Sequence, residues 1–138
     1  MPANIDPIYS KAPDIQWATT ITAANTATDG TGTVTTVFTS DATSGGYVDR
    51  IRLKPSGTNV TTVARLFLNN GSTNATASNN TFWDELTLPA TTASNSAVIG
   101  PAMEFSIGFA IPAGYKWNVV LGTAVSAGWQ PTAVGGKY

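Results

Sequence analysis

The segment Glu104 to Ile111 alternates strictly, with Phe105, Ile107, Phe109 and Ile111 set against Glu104, Ser106, Gly108 and Ala110. Successive side chains of a β-strand point to opposite faces, so this order makes a half-buried strand and does not make the apolar stripe of a helix. The same period recurs along the chain. In Tyr47 to Lys54, Ile51 and Leu53 share one face and Arg50, Arg52 and Lys54 the other. Val60 to Asn69 turns Ala64, Leu66 and Leu68 one way, and Lys116 to Thr123 turns Trp117, Val119 and Leu121 inward. Gln16 to Ala23 sets Trp17, Thr19 and Ile21 against Ala18, Thr20 and Thr22. In Thr33 to Ser40, Val34 and Val37 are out of step by one, which predicts a bulge or burial on both faces. Phe82 to Leu88 is a further strand, stopped by Pro89.

Turn residues separate these runs. Gly45-Gly46, Pro55-Ser56-Gly57, Asn69-Asn70-Gly71 and Pro112-Ala113-Gly114 all break strands. The last of them predicts a hairpin-like pair between the strands on either side. The closing strand, Gly128 to Tyr138, is expected to anchor the core through Trp129 and Val134. About eight strands at this spacing predict an all-β fold, an antiparallel β-sandwich or jelly roll. Composition agrees. Charged residues make up 11% of the 138 residues, against about 25% in an average globular protein, so no long helix has a charged wet face.

Two regions follow. Residues 1–14 contain Pro2, Pro7 and Pro13 and read as an extended N-terminal arm, and residues 15–138 read as one sandwich domain. The arm carries Ile5, Ile8 and Tyr9, which suit a contact with a neighbouring subunit. The N-terminus has no basic start followed by an apolar run, and no window has the length of a membrane helix. The expectation is a chain made in the cytoplasm with no membrane partner.

Several chemistries lack their residues. Histidine and cysteine are both absent, which removes Ser-His-Asp triads, imidazole or thiolate metal ligands and disulfides. The carboxylates include one adjacent pair, Asp84-Glu85, whose side chains leave a strand on opposite faces; the expected arrangement is one solvated carboxylate and one ion-paired. Asp29-Gly30-Thr31-Gly32 has a partial likeness to a calcium loop without its closing glutamate, and an Asx turn is the simpler expectation. No catalytic residue, cofactor or metal is therefore expected. The net charge of −1 gives no basic footprint for nucleic acid. Arg50, Arg52 and Lys54 form a cationic row on one strand face, a candidate contact with an acidic protein surface. The aromatics Tyr47, Trp83 and Tyr115 are candidates for glycan contact. The aromatic set Trp17, Trp83, Trp117, Trp129, Tyr47, Tyr115 and Tyr138 is expected mainly in the core, with Trp83 able to face either way. Four Asn-X-Ser/Thr sequons, at Asn59, Asn70, Asn74 and Asn79, read as products of an Asn- and Thr-rich composition.

The stretch Phe109-Ala110-Ile111-Pro112-Ala113-Gly114-Tyr115, continuing through Gly122-Thr123-Ala124-Val125-Ser126-Ala127-Gly128-Trp129 to Gly135-Gly136-Lys137-Tyr138, resembles small virion structural proteins of tailed bacteriophages. Val63-Ala64-Arg65-Leu66-Phe67-Leu68-Asn69-Asn70-Gly71 resembles the middle of the same group. The resemblance implies a β-sandwich or jelly-roll subunit on a capsid, a decoration or cement protein, often trimeric, that binds the major capsid protein or other virion proteins. It carries over no catalytic residue. Tyr138, after a glycine pair, is expected at a subunit boundary. The alternative function is a glycan-binding or host-adhesion module of a head or tail fibre.

Overall fold

A computed structural model describes residues 10–138. The expected arm contacts Ile5, Ile8 and Tyr9 lie outside the described residues. The described residues form eight strands in order: β1 (Ala12–Trp17), β2 (Thr35–Thr39), β3 (Gly46–Pro55), β4 (Thr62–Asn69), β5 (Asn80–Leu88), β6 (Met103–Ile111), β7 (Lys116–Leu121) and β8 (Trp129–Lys137). A short 3-10 turn, Ala77–Asn79, precedes β5.

The strands form two four-stranded sheets, β1-β8-β3-β6 and β2-β7-β4-β5. β1 pairs with β8, β2 with β7, β3 with β6 and β4 with β5, all antiparallel. This nesting is a long ribbon rolled into a sandwich, the jelly-roll arrangement. The inward residues meet between the sheets, where Trp117, Trp129, Phe38, Ile51, Leu66 and Leu121 are completely buried. The alternation of β3, β4 and β6 places its apolar set as the sequence predicts. β2 has the expected irregularity, with its register slipping between Thr36 and Phe38 and both Val37 and Phe38 buried.

Rolling also corrects four expectations. Of the sequential strand pairs, β4 and β5 alone share a sheet, so β6 and β7 are not a hairpin. Pro112 to Tyr115 forms an arch that changes sheet, closed by Tyr115 N–H donating to the Pro112 carbonyl (3.3 Å) and tied down by Ser40 Oγ on the same carbonyl (2.6 Å). Spacing alone does not separate such an arch from a hairpin, because both need a tight turn. Residues 12–14 of the expected arm belong to β1. Pro13 is accepted there because β1 is an edge strand, where a missing N–H costs no ladder bond. The strand expected over Gln16 to Ala23 ends at Trp17, beyond which Ile21 alone bridges to Trp129. Finally, Val134 is half-buried and faces outward; Ala133 and Trp129 fill the core in its place.

Gly135 of the closing glycine pair has a role inside the domain. β3 carries a bulge between Val48 and Arg50, opposite Gly135 and Val134. A Cβ on Gly135 would collide with the Tyr47 carbonyl oxygen, so glycine permits the close approach of β8 to β3.

The outer face of the β2-β7-β4-β5 sheet is roofed by loops. Asn25 N–H donates to the Leu121 carbonyl (2.8 Å) at the end of β7. A few residues later the Asp29 carbonyl accepts from Asn80 Nδ2 (3.2 Å) at the start of β5. β4 lies between those two strands, so residues 25–33 cross the sheet. Gly30 sits so close to Asn80 that a Cβ would come within 2.6 Å of it, and its φ of 79° suits glycine. Asn74 Nδ2 fastens the loop further, donating to the Gly30 and Gly32 carbonyls at 3.2 and 2.7 Å. Under this roof the outward residues Phe67, Asn118 and Val120 are buried, which gives β7 burial on both faces.

The opposite end is fastened by Asn59. Its Nδ2 donates to the Gly57 carbonyl, Thr91 Oγ1 and the Gly128 carbonyl, and its Oδ1 accepts from Ala127 and Gly128 N–H. One buried amide thereby joins the β3-β4, β5-β6 and β7-β8 connections, and its sequon has a structural use.

Candidate functional site

Among the described residues no loop roofs the outer face of the other sheet, β1-β8-β3-β6. Its residues fall into rows set by register. Trp17, Thr132, Arg52 and Glu104 form one row; Ile15, Val134, Arg50 and Ser106 form the next. At about 4.8 Å per strand, each row spans roughly 14 Å.

β1 runs opposite to the usual pattern of such a sheet, which keeps apolar side chains on the core side. Ile15 is 54% exposed and Trp17 69% exposed. The polar residue between them points the other way: Gln16 Nε2 donates to the Thr39 carbonyl (2.9 Å) and its Oε1 accepts from Thr39 N–H (3.0 Å). Gln16 clips the edge of one sheet to the edge of the other, and in doing so fixes Ile15 and Trp17 on the outside. The sequence contains this signal, Pro13-x-Ile15-x-Trp17 beside Asp14-x-Gln16, but not the side that faces solvent.

The structure places Arg50, Arg52 and Lys54 together on this face, in the middle of the sheet. They are not equivalent. Arg50 Nε lies 3.3 Å from Asp49, the adjacent bulge residue, and its Nη1 lies 3.7 Å from Glu104 across the strand pair. Lys54 Nζ donates to the Gly100 carbonyl at 2.7 Å. Among the described residues Arg52 has no ion pair, although Glu104 is its register neighbour. The face thus offers one uncommitted guanidinium beside a shelf made of Trp17, Ile15 and Val134. Tyr138 follows β8 at the far end of this sheet and is half-buried.

Other sequence candidates resolve differently. Among the described residues no cluster of three acidic side chains exists. Asp29 makes an Asx turn, its Oδ1 accepting from Thr31 N–H (3.1 Å) and Thr31 Oγ1 (2.6 Å); these bonds hold its carboxyl below the ordinary range. Glu85 pairs with Arg65 at 3.5 Å, while Asp84 is exposed and accepts from Glu85 N–H. The tryptophans divide: Trp117 and Trp129 are core, Trp17 and Trp83 are surface, Trp83 being 50% exposed. Tyr47 and Tyr115 are half-buried, on different parts of the molecule: Tyr47 crosses the outward side of β6 with its hydroxyl near Gly108, and Tyr115 lies by the β6-β7 arch. No protein-family model, curated protein or solved structure matches this chain.

Proposed function

We propose that this protein is a non-enzymatic structural subunit of a tailed-phage virion, most simply a decoration subunit that lies on the head surface and stabilises it. The observation that carries the proposal is the inverted edge strand: Ile15 and Trp17 are held outward by the Gln16 clip, on the same face as Arg52 with Thr132 between Trp17 and Arg52, on a sheet that no described loop roofs. Exposed apolar side chains that adjoin one another on a sheet face are characteristic of contact surfaces. Trp and Arg are also the residues most enriched at the energetic centres of interfaces. The resemblance of residues 109–138 and 63–71 to virion structural proteins supports the same reading. The partner in this proposal is the major capsid protein or another virion protein, with an acidic group opposite Arg52. The subunit acts as a homo-oligomer, with a trimer favoured by the resemblance. Repetition across a lattice makes individually weak contacts sufficient.

Antibody labelling of particles purified from a culture that makes the protein tests this. Label on the head surface supports the proposal. Protein found wholly in the particle-free fraction rejects it.

A further inference from the structure

The flank opposite β1, where the edges of β5 and β6 approach each other, carries a second surface of different chemistry. β5 slips register between Leu66 and Phe67, which face Asp84 and Phe82 and leave Trp83 as the extra residue. The bulge turns the Trp83 ring onto the seam between the sheets. Its centroid lies 5.0 Å from Phe109 and 6.2 Å from Trp117, and those two rings lie 5.8 Å apart. The indole is therefore backed by fixed rings and half open to solvent. Beside it is a hollow lined by Leu68, Asn70, Ser78, Asn79, Thr81 and Tyr115, with Asn80 at its edge. Leu68 joins the two features, since it is the register partner of Thr81 on one side and of Trp117 on the other.

The lining has no charged side chain. Among the described residues the hydroxyls of Ser78, Thr81 and Tyr115 hydrogen-bond to no protein group. The rim amides are held in place: Asn70 Nδ2 donates to Asn79 Oδ1 (3.2 Å), and Asn79 Nδ2 donates to the Thr73 carbonyl (2.9 Å). The lining offers no counter-charge to an anionic or cationic ligand, the exposed Asp84 that follows Trp83 lying outside it. A wholly apolar one would strand three hydroxyls away from water. A pyranose fits both halves, its C–H face on a fixed aromatic ring and its hydroxyls toward fixed amides and free hydroxyls.

We infer that Trp83 and the Thr81–Tyr115 hollow form a binding site for a neutral saccharide. The site is separate from the sheet face assigned to particle docking, so either assignment can fail without the other. Free oligosaccharides and a cell-surface polysaccharide share this chemistry, and the test separates them.

The test is an amide and indole NMR titration of the intact protein with neutral glucose-, galactose- and mannose-based oligosaccharides. A uronic-acid oligosaccharide serves as the charged control, and a purified neutral cell-surface polysaccharide as a separate arm. The expected result is a shift of the Trp83 indole N–H and of the Thr81 and Tyr115 amides with at least one neutral sugar. Trp83→Ala is expected to weaken binding about tenfold or more. Thr81→Val keeps the side-chain shape and the folded spectrum, and is expected to weaken binding as well. A response to the free oligosaccharide assigns recognition to the sugar unit; a response confined to the polysaccharide assigns it to a longer surface epitope. No response at these residues to any neutral saccharide overturns the inference. So does an equal response to the uronic acid, or unchanged binding in both variants.

Discussion

Trp17 and Arg52 stand on either side of Thr132 in one outward row, each register-paired with that residue. The indole is 69% exposed and Arg52 is uncommitted to any ion pair among the described residues. Two interface-type side chains two strand spacings apart, on a sheet that no described loop roofs, carry little stability where they are. In a pull-down on purified particles, Trp17→Ser and Arg52→Glu are each expected to reduce binding about tenfold or more. Their unfolding free energies should remain within about 0.5 kcal/mol of the parent. Binding that survives both changes would show that this face is not the contact surface.

Asn59 is a different kind of residue, 3% exposed and bonded to three loops at once. Asn59→Ala leaves the Ala127 and Gly128 N–H groups without their acceptor in a dry setting, at about 1–3 kcal/mol for each group left unsatisfied. Urea unfolding should show a loss of roughly 2–4 kcal/mol with an unchanged m-value. A loss under about 1 kcal/mol would mean that water or a loop shift replaces the amide.

Gly135→Ala tests the contact between β8 and β3. The added Cβ meets backbone, the Tyr47 carbonyl, and not a side chain that can rotate away. Either the β3 bulge at Asp49 moves or the strands separate. The expected cost is about 2 kcal/mol or more, with amide shifts spreading from Tyr47 to Arg50. A neutral effect would show that the β8-β3 ladder can widen without cost.

Acid should weaken the turn before β3. Asp41 accepts from the Ser44 N–H, the Thr43 N–H and the Ser44 hydroxyl, and these bonds hold its carboxyl below the ordinary value of 3.8. A carboxylate depressed in the folded state contributes stability above its unfolded value, and that contribution is lost as the pH falls through the folded value. The stability difference between the parent and Asp41→Asn is therefore expected to be constant near neutral pH and to shrink below about pH 4. A difference that stays constant down to about pH 2 would contradict the assigned hydrogen bonds.

The sheet faces were legible in the sequence wherever burial is decided within the strand itself. Ile51 and Leu53 against Arg50 and Arg52, or Phe105 against Glu104, follow from period alone. What stayed hidden was decided at a distance. Asn118 and Val120 are buried because residues 25–33 cross over them, held by Asn74 and Asn80, and no local pattern in β7 reports that. The β6-β7 arch escaped for a related reason: Pro112 to Tyr115 specifies a turn, whereas the choice of sheet is made by Ser40 and by strand nesting. Trp83 had no readable side, because a bulge resets the alternation in the middle of β5. For the proposed docking face, the cationic row was evident and its apolar neighbour was not, since Trp17 in an alternating run looks like core until Gln16 is seen to take the inner position.

In the proposed function the protein meets a virion through the β1-β8-β3-β6 face. Electron cryomicroscopy of decorated particles tests it most directly. The expected density has Trp17, Ile15 and Arg52 touching the head lattice, while the loops over the other sheet, residues 25–33 and 70–80, face solvent. A map with those loops against the lattice and Trp17 and Arg52 in solvent would contradict it.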